Sequence, residues 1–315
     1  MDKPIIFMFS GQGSQYYGMG KELYCQNAIF RHWMSKLNNL VYQTIGFSIV
    51  DTIYDQAKSA AAQFDRLLYT HPAIFMVEYS LARMLIESGF EPDYVLGASL
   101  GEFTSLAIAG SISVEEALQC LLKQAELIES HCDRGRMTAV IHNIALYSES
   151  AISRYSELAA VNYSSHFIIS GDCEKVLTVE AYLRERDILF QNLPVRYGFH
   201  SSTIDMIGGK YKSFLCKISF KKPVIPVISC SLSSAIIEVP LGYFWDVVRQ
   251  PIHFQQTIQK LEEDDGFIYI DVGPSGTLMN FVKNNLSVDS LSQVYDLLNP
   301  FGQDIRKFEK LKASL

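Results

Sequence analysis

The sequence predicts a mixed α/β fold in which a parallel sheet is covered by helices on both faces and interrupted by a smaller subdomain. The chain has 315 residues, enough for about two domains, and 48% of them are hydrophobic. Residues 4–9 form a continuous apolar run, typical of a strand buried on both faces. As far as residue 131, such runs alternate with helical patterns, as in a doubly wound parallel sheet.

The first part of the chain contains two predicted strands and four predicted helices. His71-Pro72 is expected to open the second helix, which continues to about residue 87, because proline suits a first helical turn. The other elements, in order, are a strand at 4–9, a helix at 20–37, a strand at 93–96 and helices at 100–109 and 114–131.

Residues 132–196 follow a different pattern, with strands and helices in the order β-α-β-β-α-β. This order is that of a ferredoxin-like subdomain. We therefore predict a core made of residues 1–131 and 197–315, with an insertion at 132–196. In the second part of the core, helices are expected at 205–217, from about 241 and in the tail after 299, and strands at 227–229 and 267–271.

Composition excludes several classes of protein. Lys and Arg total 27 against 34 Asp and Glu, giving a net charge of −7, so binding to nucleic-acid phosphates is not expected. The six cysteines form no CxxC pair, and no Cys/His spacing resembles a metal site. No apolar run approaches the ~18 residues that a membrane-spanning helix needs. We expect a soluble, cytoplasmic protein without a metal or a cofactor.

The strongest local signal is the segment Gly97-Ala98-Ser99-Leu100-Gly101, which fits G-x-S-x-G. It lies between a predicted strand and a predicted helix, the context in which this motif presents a nucleophilic serine on a sharp turn. Ser99 is then the candidate nucleophile, and the N–H of Leu100 can donate to an oxyanion. The alternative is a glycine-rich turn with a capping serine.

A serine nucleophile requires a base, and the chain has seven histidines. His200 ranks first because Tyr197-Gly198-Phe199-His200 follows the predicted insertion, where a loop can return to the edge of the sheet. His71, at a predicted helix start, ranks second.

The loop after the first strand, at residues 11–15, lacks the spacing of a phosphate-binding loop. Its backbone can instead supply a second oxyanion donor, for which the N–H of Gln12 is the candidate.

Four segments in this order resemble the malonyl-CoA:acyl-carrier-protein transacylases and the acyltransferase domains of polyketide synthases. The resemblance covers about residues 4–285. The segments are Phe9-Ser10-Gly11-Gln12-Gly13-Ser14-Gln15, Gly97-Ala98-Ser99-Leu100-Gly101-Glu102, Tyr197-Gly198-Phe199-His200 and Asp271-Val272-Gly273-Pro274.

The resemblance implies an α/β-hydrolase-like core with a ferredoxin-like insertion. It also implies that Ser99 is the nucleophile, that His200 is the base, and that the N–H groups of Gln12 and Leu100 form the oxyanion hole. In this family a backbone carbonyl orients the histidine, and the resemblance assigns it to Val247 or its neighbourhood.

Three residues depart from the malonyl-specific members of the family. Ala98 replaces the histidine before the nucleophile, and His71 replaces a glutamine. Gln124 stands where those members carry the arginine that pairs with the carboxylate of malonate. A glutamine cannot replace that charge, so malonate would be buried without a counter-ion. We therefore expect an acyl pocket, including Gln124, Ala98, His71 and Phe199, that accepts uncharged chains.

The loss of this arginine, with glutamine in its place, is similar to what the free-standing acyl hydrolases of polyketide systems with separate acyltransferases show. The first hypothesis is therefore an enzyme of antibiotic or other polyketide biosynthesis that hydrolyses uncharged acyl thioesters on acyl carrier proteins through an acyl-serine. The alternatives are a transferase of uncharged acyl groups between CoA or carrier proteins and a non-catalytic homologue that docks on the synthase. An unrelated esterase would need an acid such as Asp172 or Asp187.

The partner implied by the resemblance is an acyl carrier protein with a phosphopantetheine-linked acyl chain. Carrier proteins are usually acidic, so a basic patch would be needed for docking. Candidate residues are Lys210, Lys212, Lys217, Lys221, Lys222, Arg184, Arg186 and Arg196. Neither a nucleic acid nor a membrane is expected as a partner, and the sequence is compatible with a monomer.

Overall fold

The computed structural model describes residues 3–315, which contain two β-sheets. The strands are β1 (Ile5–Phe9), β2 (Tyr94–Gly97), β3 (Gly135–Val140), β4 (Glu157–Tyr163), β5 (His166–Asp172), β6 (Phe190–Asn192), β7 (Val227–Ser229), β8 (Ser234–Ile236), β9 (Ile268–Asp271) and β10 (Gln293–Asp296).

Thirteen α-helices connect and cover these strands within the described residues. They are α1 (Lys21–Gln26), α2 (Ala28–Ile45), α3 (Ile49–Ile53), α4 (Leu67–Glu87), α5 (Gly101–Ile108), α6 (Val114–His131), α7 (Ser150–Ser153), α8 (Cys173–Glu185), α9 (Gly208–Leu215), α10 (Tyr243–Arg249), α11 (Phe254–Leu261), α12 (Thr277–Lys283) and α13 (Asp304–Ser314). Short 3₁₀ helices occupy Ile144–Ser148 and Ser202–Ile207.

The larger sheet has the strand order β10-β9-β1-β2-β7-β8. All neighbouring pairs are parallel except β7 and β8. In β1, Phe7 and Phe9 face one apolar cluster, and Ile6 and Met8 face another on the opposite side. Because successive strand residues point to opposite faces, this run must be apolar throughout to be covered on both sides. The prediction of a doubly wound parallel sheet is confirmed.

The smaller sheet is antiparallel and has the order β4-β5-β3-β6. Its strands and helices follow the predicted β-α-β-β-α-β sequence. Helix α8 packs its buried side chains, among them Val176, Val179 and Leu183, into a separate apolar cluster with this sheet. The ferredoxin-like subdomain is therefore confirmed.

Two helices differ from the prediction. The single helix expected at 20–37 is two helices, because Asn27 adopts an extended conformation and its side chain accepts from the N–H groups of Ile29 and Phe30. Helix α4 begins at Leu67 rather than at His71. The N–H groups of Tyr69 and Thr70 already donate to the Arg66 carbonyl, so Pro72 falls in the second turn.

Candidate active site

The candidate nucleophile, Ser99, occupies a sharp turn between β2 and α5. Its φ of 56° is in the left-handed region, which non-glycine residues adopt only under local constraint. The chain can approach β1 this closely only because residue 101 is a glycine. A Cβ on Gly101 would lie 2.0 Å from the carbonyl oxygen of Phe9. The turn therefore has the strained geometry that the motif predicts.

Ser99 and His200 are in direct contact. Ser99 Oγ lies 2.9 Å from His200 Nε2, and His200 Nδ1 lies 2.7 Å from the carbonyl oxygen of Gln250. A carbonyl oxygen only accepts hydrogen bonds, so Nδ1 carries the proton and Nε2 is free to accept from Ser99. This arrangement can take a proton from the serine hydroxyl.

The carbonyl that orients His200 belongs to Gln250, and the prediction of Val247 is wrong. Val247 lies within α10, which ends at Arg249. Gln250 follows the helix with extended backbone angles, so its carbonyl is free of the helix and turns to His200. Val247 instead borders a small cavity that is also lined by Ser99.

Burial controls the charge of His200. Loss of solvent lowers the pKa of its imidazole to about 4, the Gln250 carbonyl opposes that shift, and the charge of Arg249 adds to it. The ring is therefore neutral at physiological pH, which is the form that a general base requires.

Arg249 connects the end of α10 to two carboxylates. Its Nε lies 2.6 Å from Asp205 Oδ1, and its Nη1 lies 3.3 Å from Glu157 Oε2. Glu157 belongs to β4 of the ferredoxin-like subdomain and also accepts from the N–H of Ser202, two residues after His200. These contacts fix both segments that hold the imidazole.

The loop after β1 is held by a buried carboxyl group on α4. Glu78 accepts from both the N–H and the hydroxyl of Ser10, at 2.7 and 2.9 Å, and from the hydroxyl of Thr104. Within residues 3–315, no protein acceptor bonds to the N–H of Gln12 or of Leu100. Both residues line the small cavity together with Ser99. Two free donors beside the serine are what an oxyanion hole requires.

Two spaces meet at Ser99. A cleft of about 290 Å³ lies between the two sheets, and Ser99 and His200 border it from the core. Ala139, Ala160 and Ile168 border it from the ferredoxin-like subdomain. The second space is a cavity of about 10 Å³ that Ser99 also borders.

The structure divides the four predicted acyl-pocket residues between these spaces. Gln124, His71 and Phe199 border the small cavity, and Phe199 also borders the cleft. Ala98 borders only the cleft. Phe103 and Val248 complete the cavity wall and were missed by the sequence argument. Of these two residues, only Phe103 could have been found from the sequence, because its helical spacing places it four residues after Ser99.

The polar residues of the small cavity are uncharged. Gln124 is buried, with Nε2 3.5 Å from the hydroxyl of Tyr211. Burial lowers the pKa of His71 to about 4, so the ring is neutral. Among the described residues that line this cavity, none is an arginine or a lysine.

The described residues contain no group of three His, Cys, Asp or Glu side chains arranged to hold a metal ion. In the same part of the chain, no helix is both long enough and apolar enough to cross a membrane.

The fold and this geometry define a class: α/β proteins with a serine–histidine pair at a strand-to-helix turn, beside a ferredoxin-like subdomain. A family model described as the acyl transferase domain matches residues 6–313. The chain belongs to this acyltransferase family.

Curated relatives and solved structures agree with that assignment. The polyketide biosynthesis acyltransferase homolog BaeD of Bacillus velezensis is 43% identical over 316 residues, which cover 100% of this chain and 98% of BaeD. The homolog PksD of Bacillus subtilis is 42% identical over 313 residues, covering 99% of this chain and 97% of PksD.

Among solved structures, MCAT from Streptococcus pneumoniae superposes with a TM-score of 0.82 at 25% identity, covering 99% of this chain and 100% of that one. A loading acyltransferase from the avermectin modular polyketide synthase reaches 0.90 at 22% identity, covering 98% and 99%. The predicted fold class is confirmed.

Proposed function

We propose that this protein acts in polyketide biosynthesis as a hydrolase of acyl thioesters carried by acyl carrier proteins, with a preference for uncharged acyl groups. The names of BaeD and PksD support the biosynthetic setting. The observation that carries the preference is buried, neutral Gln124 in a cavity without a cationic side chain. A carboxylate there would be desolvated without a partner, which costs several kcal/mol.

Acylation would begin when Ser99 Oγ attacks the thioester carbonyl and its proton passes to His200 Nε2. The N–H groups of Gln12 and Leu100 would stabilise the oxyanion. When the intermediate collapses, the C–S bond breaks and the carrier's sulfur takes the proton from Nε2. The Gln250 carbonyl would keep the ring oriented through both transfers.

Deacylation would use the same groups with water in place of serine. His200 Nε2 would accept a proton from a water molecule that attacks the acyl-serine. Collapse of that intermediate returns the proton to Ser99 Oγ and releases a free acid. The cleft, which His200 borders, is wide enough to admit the water.

The test is to incubate the purified protein with acetyl-loaded and malonyl-loaded carrier protein and to measure free acid and carrier thiol. We expect acid from the acetyl carrier and little from the malonyl carrier. Ser99→Ala should abolish release, because it removes the attacking oxygen, and mass spectrometry should show the acyl group on Ser99 of the parent protein only.

The remaining alternatives give different products. Transfer of acetyl to a second carrier without free acid would support a transferase and contradict the hydrolase. Rapid transfer of malonate from CoA would contradict the role assigned to Gln124. Absence of any acylated Ser99 would support a non-catalytic homologue, against which the Ser99–His200 contact argues.

A further inference from the structure

A third space, which we call the junction hollow, lies between the ferredoxin-like subdomain and the core. Strands β4 and β5 and the first turn of α8 border it from the subdomain, and Ser202 and Thr203 border it from the core. It shares no bordering residue with the catalytic cleft or the small cavity. Its volume is about 180 Å³, more than about ten times the space that one water molecule needs. The hollow can therefore hold a small molecule outside the catalytic site.

A buried hydroxyl group without a partner belongs to the wall of this hollow. Ser170 of β5 is fully buried, and within residues 3–315 its Oγ has no hydrogen-bond partner. Ile168, two residues earlier in β5, borders the cleft, so the side chain of Ser170 points to the same face of the sheet, towards the core. Leaving such a hydroxyl unpaired costs free energy, so a partner for it is expected in the hollow.

The charged groups that border the hollow differ in their partners. Glu157 pairs with Arg249, and the carboxylate of Asp172 accepts from N–H groups in the first turn of α8. By contrast, no salt bridge of the described residues includes Arg154 or Lys175, both of which are exposed. The hollow therefore combines engaged carboxylates with two cationic side chains that have no counter-ion.

We propose that the junction hollow binds an anion of the phosphate class, either free phosphate or the phosphoryl group of a small phosphate ester. The hydroxyl of Ser170 and the charged groups of Arg154 and Lys175 would donate to its oxygens. Hydrogen bonds between cationic donors and phosphate oxygens are among the strongest in proteins. A metal cation would instead meet two positive side chains and carboxylates that are already engaged. This site does not depend on the proposed function, because its three donors lie outside the catalytic site.

The experiment measures the midpoint of thermal unfolding of the full chain while sodium phosphate is raised to about 20 mM, with chloride keeping the ionic strength constant. A ligand that binds only the folded protein raises this midpoint along a curve that reports its Kd. We expect such a curve for the parent protein. Lys310→Gln removes an exposed lysine that does not border the hollow, so this control should give the same curve.

Two variants test the donors separately. Lys175→Gln removes an exposed charge, so the fold should be kept while the Kd for phosphate rises at least about ten-fold. Ser170→Ala should weaken binding to a similar extent. In buffer without phosphate, Ser170→Ala should be at least as stable as the parent protein, because it removes a buried hydroxyl that has no protein partner. This measurement separates the loss of a ligand contact from damage to the fold.

General effects of the anion give a different result. Phosphate also stabilises proteins through exclusion from their surface, an effect that does not depend on one side chain. An equal rise of the midpoint in the parent protein and both variants would therefore overturn the site. Retention of the parent's Kd by Ser170→Ala would overturn it as well. So would a clear loss of stability in Ser170→Ala without phosphate, because the hydroxyl would then already have a partner.

Glycerol 3-phosphate and glycerol distinguish the two sources of the anion. A lower Kd for glycerol 3-phosphate than for phosphate would identify a small ester as the ligand, and the reverse order would identify free phosphate. Glycerol alone should leave the midpoints of the parent protein and Ser170→Ala in the same relation as buffer does. A response to glycerol that Ser170→Ala loses would indicate a site for neutral polyols and contradict the proposal.

Discussion

At the scale of single residues, His200 is oriented by backbone carbonyls. Its Nδ1–H donates to Gln250, and its own N–H donates to Val248. An uncharged carbonyl fixes the tautomer but stabilises the imidazolium less than a carboxylate would. This is consistent with a pKa that burial lowers to about 4. The imidazole of His200 is therefore neutral at physiological pH.

Arg249 provides a test of this arrangement. Arg249→Gln removes a positive charge near His200 and the ion pairs that hold the end of α10. Because that charge lowers the pKa of His200, its loss should raise this pKa and move the acid limb of kcat/KM to higher pH. We expect kcat to fall about ten-fold, through loss of the hydrogen-bond geometry at Gln250. The measurement is a pH–rate profile between pH 4 and 8.

Arg249→Lys is the conservative comparison, since it keeps the charge and loses the two-pronged contact with Asp205. Its acid limb should stay near that of the parent protein even if kcat falls. If both variants lose activity without any movement of the limb, Arg249 acts only on overall structure.

The residues of the site were predictable to different extents. Ser99 lies in a local motif, and His200 lies in a segment that resembles a known family. Gln250 contacts His200 through its backbone carbonyl, a group that every residue carries. Only the position at which α10 ends could therefore have identified Gln250 as the partner of His200. Arg249 and Asp205 are 44 positions apart, and no local pattern pairs them. The roles of Ser99, His200, Gln12 and Leu100 remain predictions until they are tested by substitution.

At the scale of elements, most of the strands and long helices were predictable, but the two edge strands of the larger sheet were not. The strand at β1 and the long helix α6 follow from their apolar patterns. The three-residue strand β8 and the edge strand β10 were missed, because they are too short or too exposed to carry a pattern. The boundaries at 132 and 196 remain predictions.

The break between α1 and α2 shows how one side chain ends a periodic segment. Asn27→Ala should destabilise the protein by about 1 kcal/mol, because the side chain no longer caps the N–H groups of Ile29 and Phe30, each at 3.0 Å. Urea unfolding gives the free-energy difference. Asn39→Ala, at an exposed position within α2, is the control and should be neutral or slightly stabilising. Equal losses in the two variants would argue against the cap.

At the scale of the whole molecule, the formal net charge of −7 includes three carboxyl groups that are fully buried: Glu78, Glu102 and Asp271. They hold the loops that follow β1, β7 and β9, at the carboxyl ends of strands of the larger sheet, which is where ligands of parallel sheets bind. Burial raises the pKa of each of them. The architecture of the site therefore depends on acids that the fold prefers to keep protonated.

Glu102 links this preference to the stability of the whole chain. It accepts from the hydroxyls of Tyr243 and Ser229, at 2.6 and 3.0 Å, and burial raises its pKa from 4.5 to about 7. The unfolded chain therefore loses this proton first. The contribution of Glu102 is fully present below pH 4.5 and is lost as pH rises to about 7, a change of about 3 kcal/mol.

Glu102→Gln should remove that pH dependence, because an amide keeps the size and hydrogen-bonding capacity of the protonated acid without ionising. The free energy of unfolding, measured by urea between pH 5 and 8, should therefore fall less steeply with pH in the variant. Between pH 5 and pH 8, the variant should lose less of its free energy of unfolding than the parent protein loses. Glu263→Gln, at an exposed position, should follow the parent curve. Parallel curves for the parent and Glu102→Gln would show that Glu102 is ionised in the folded protein throughout this range.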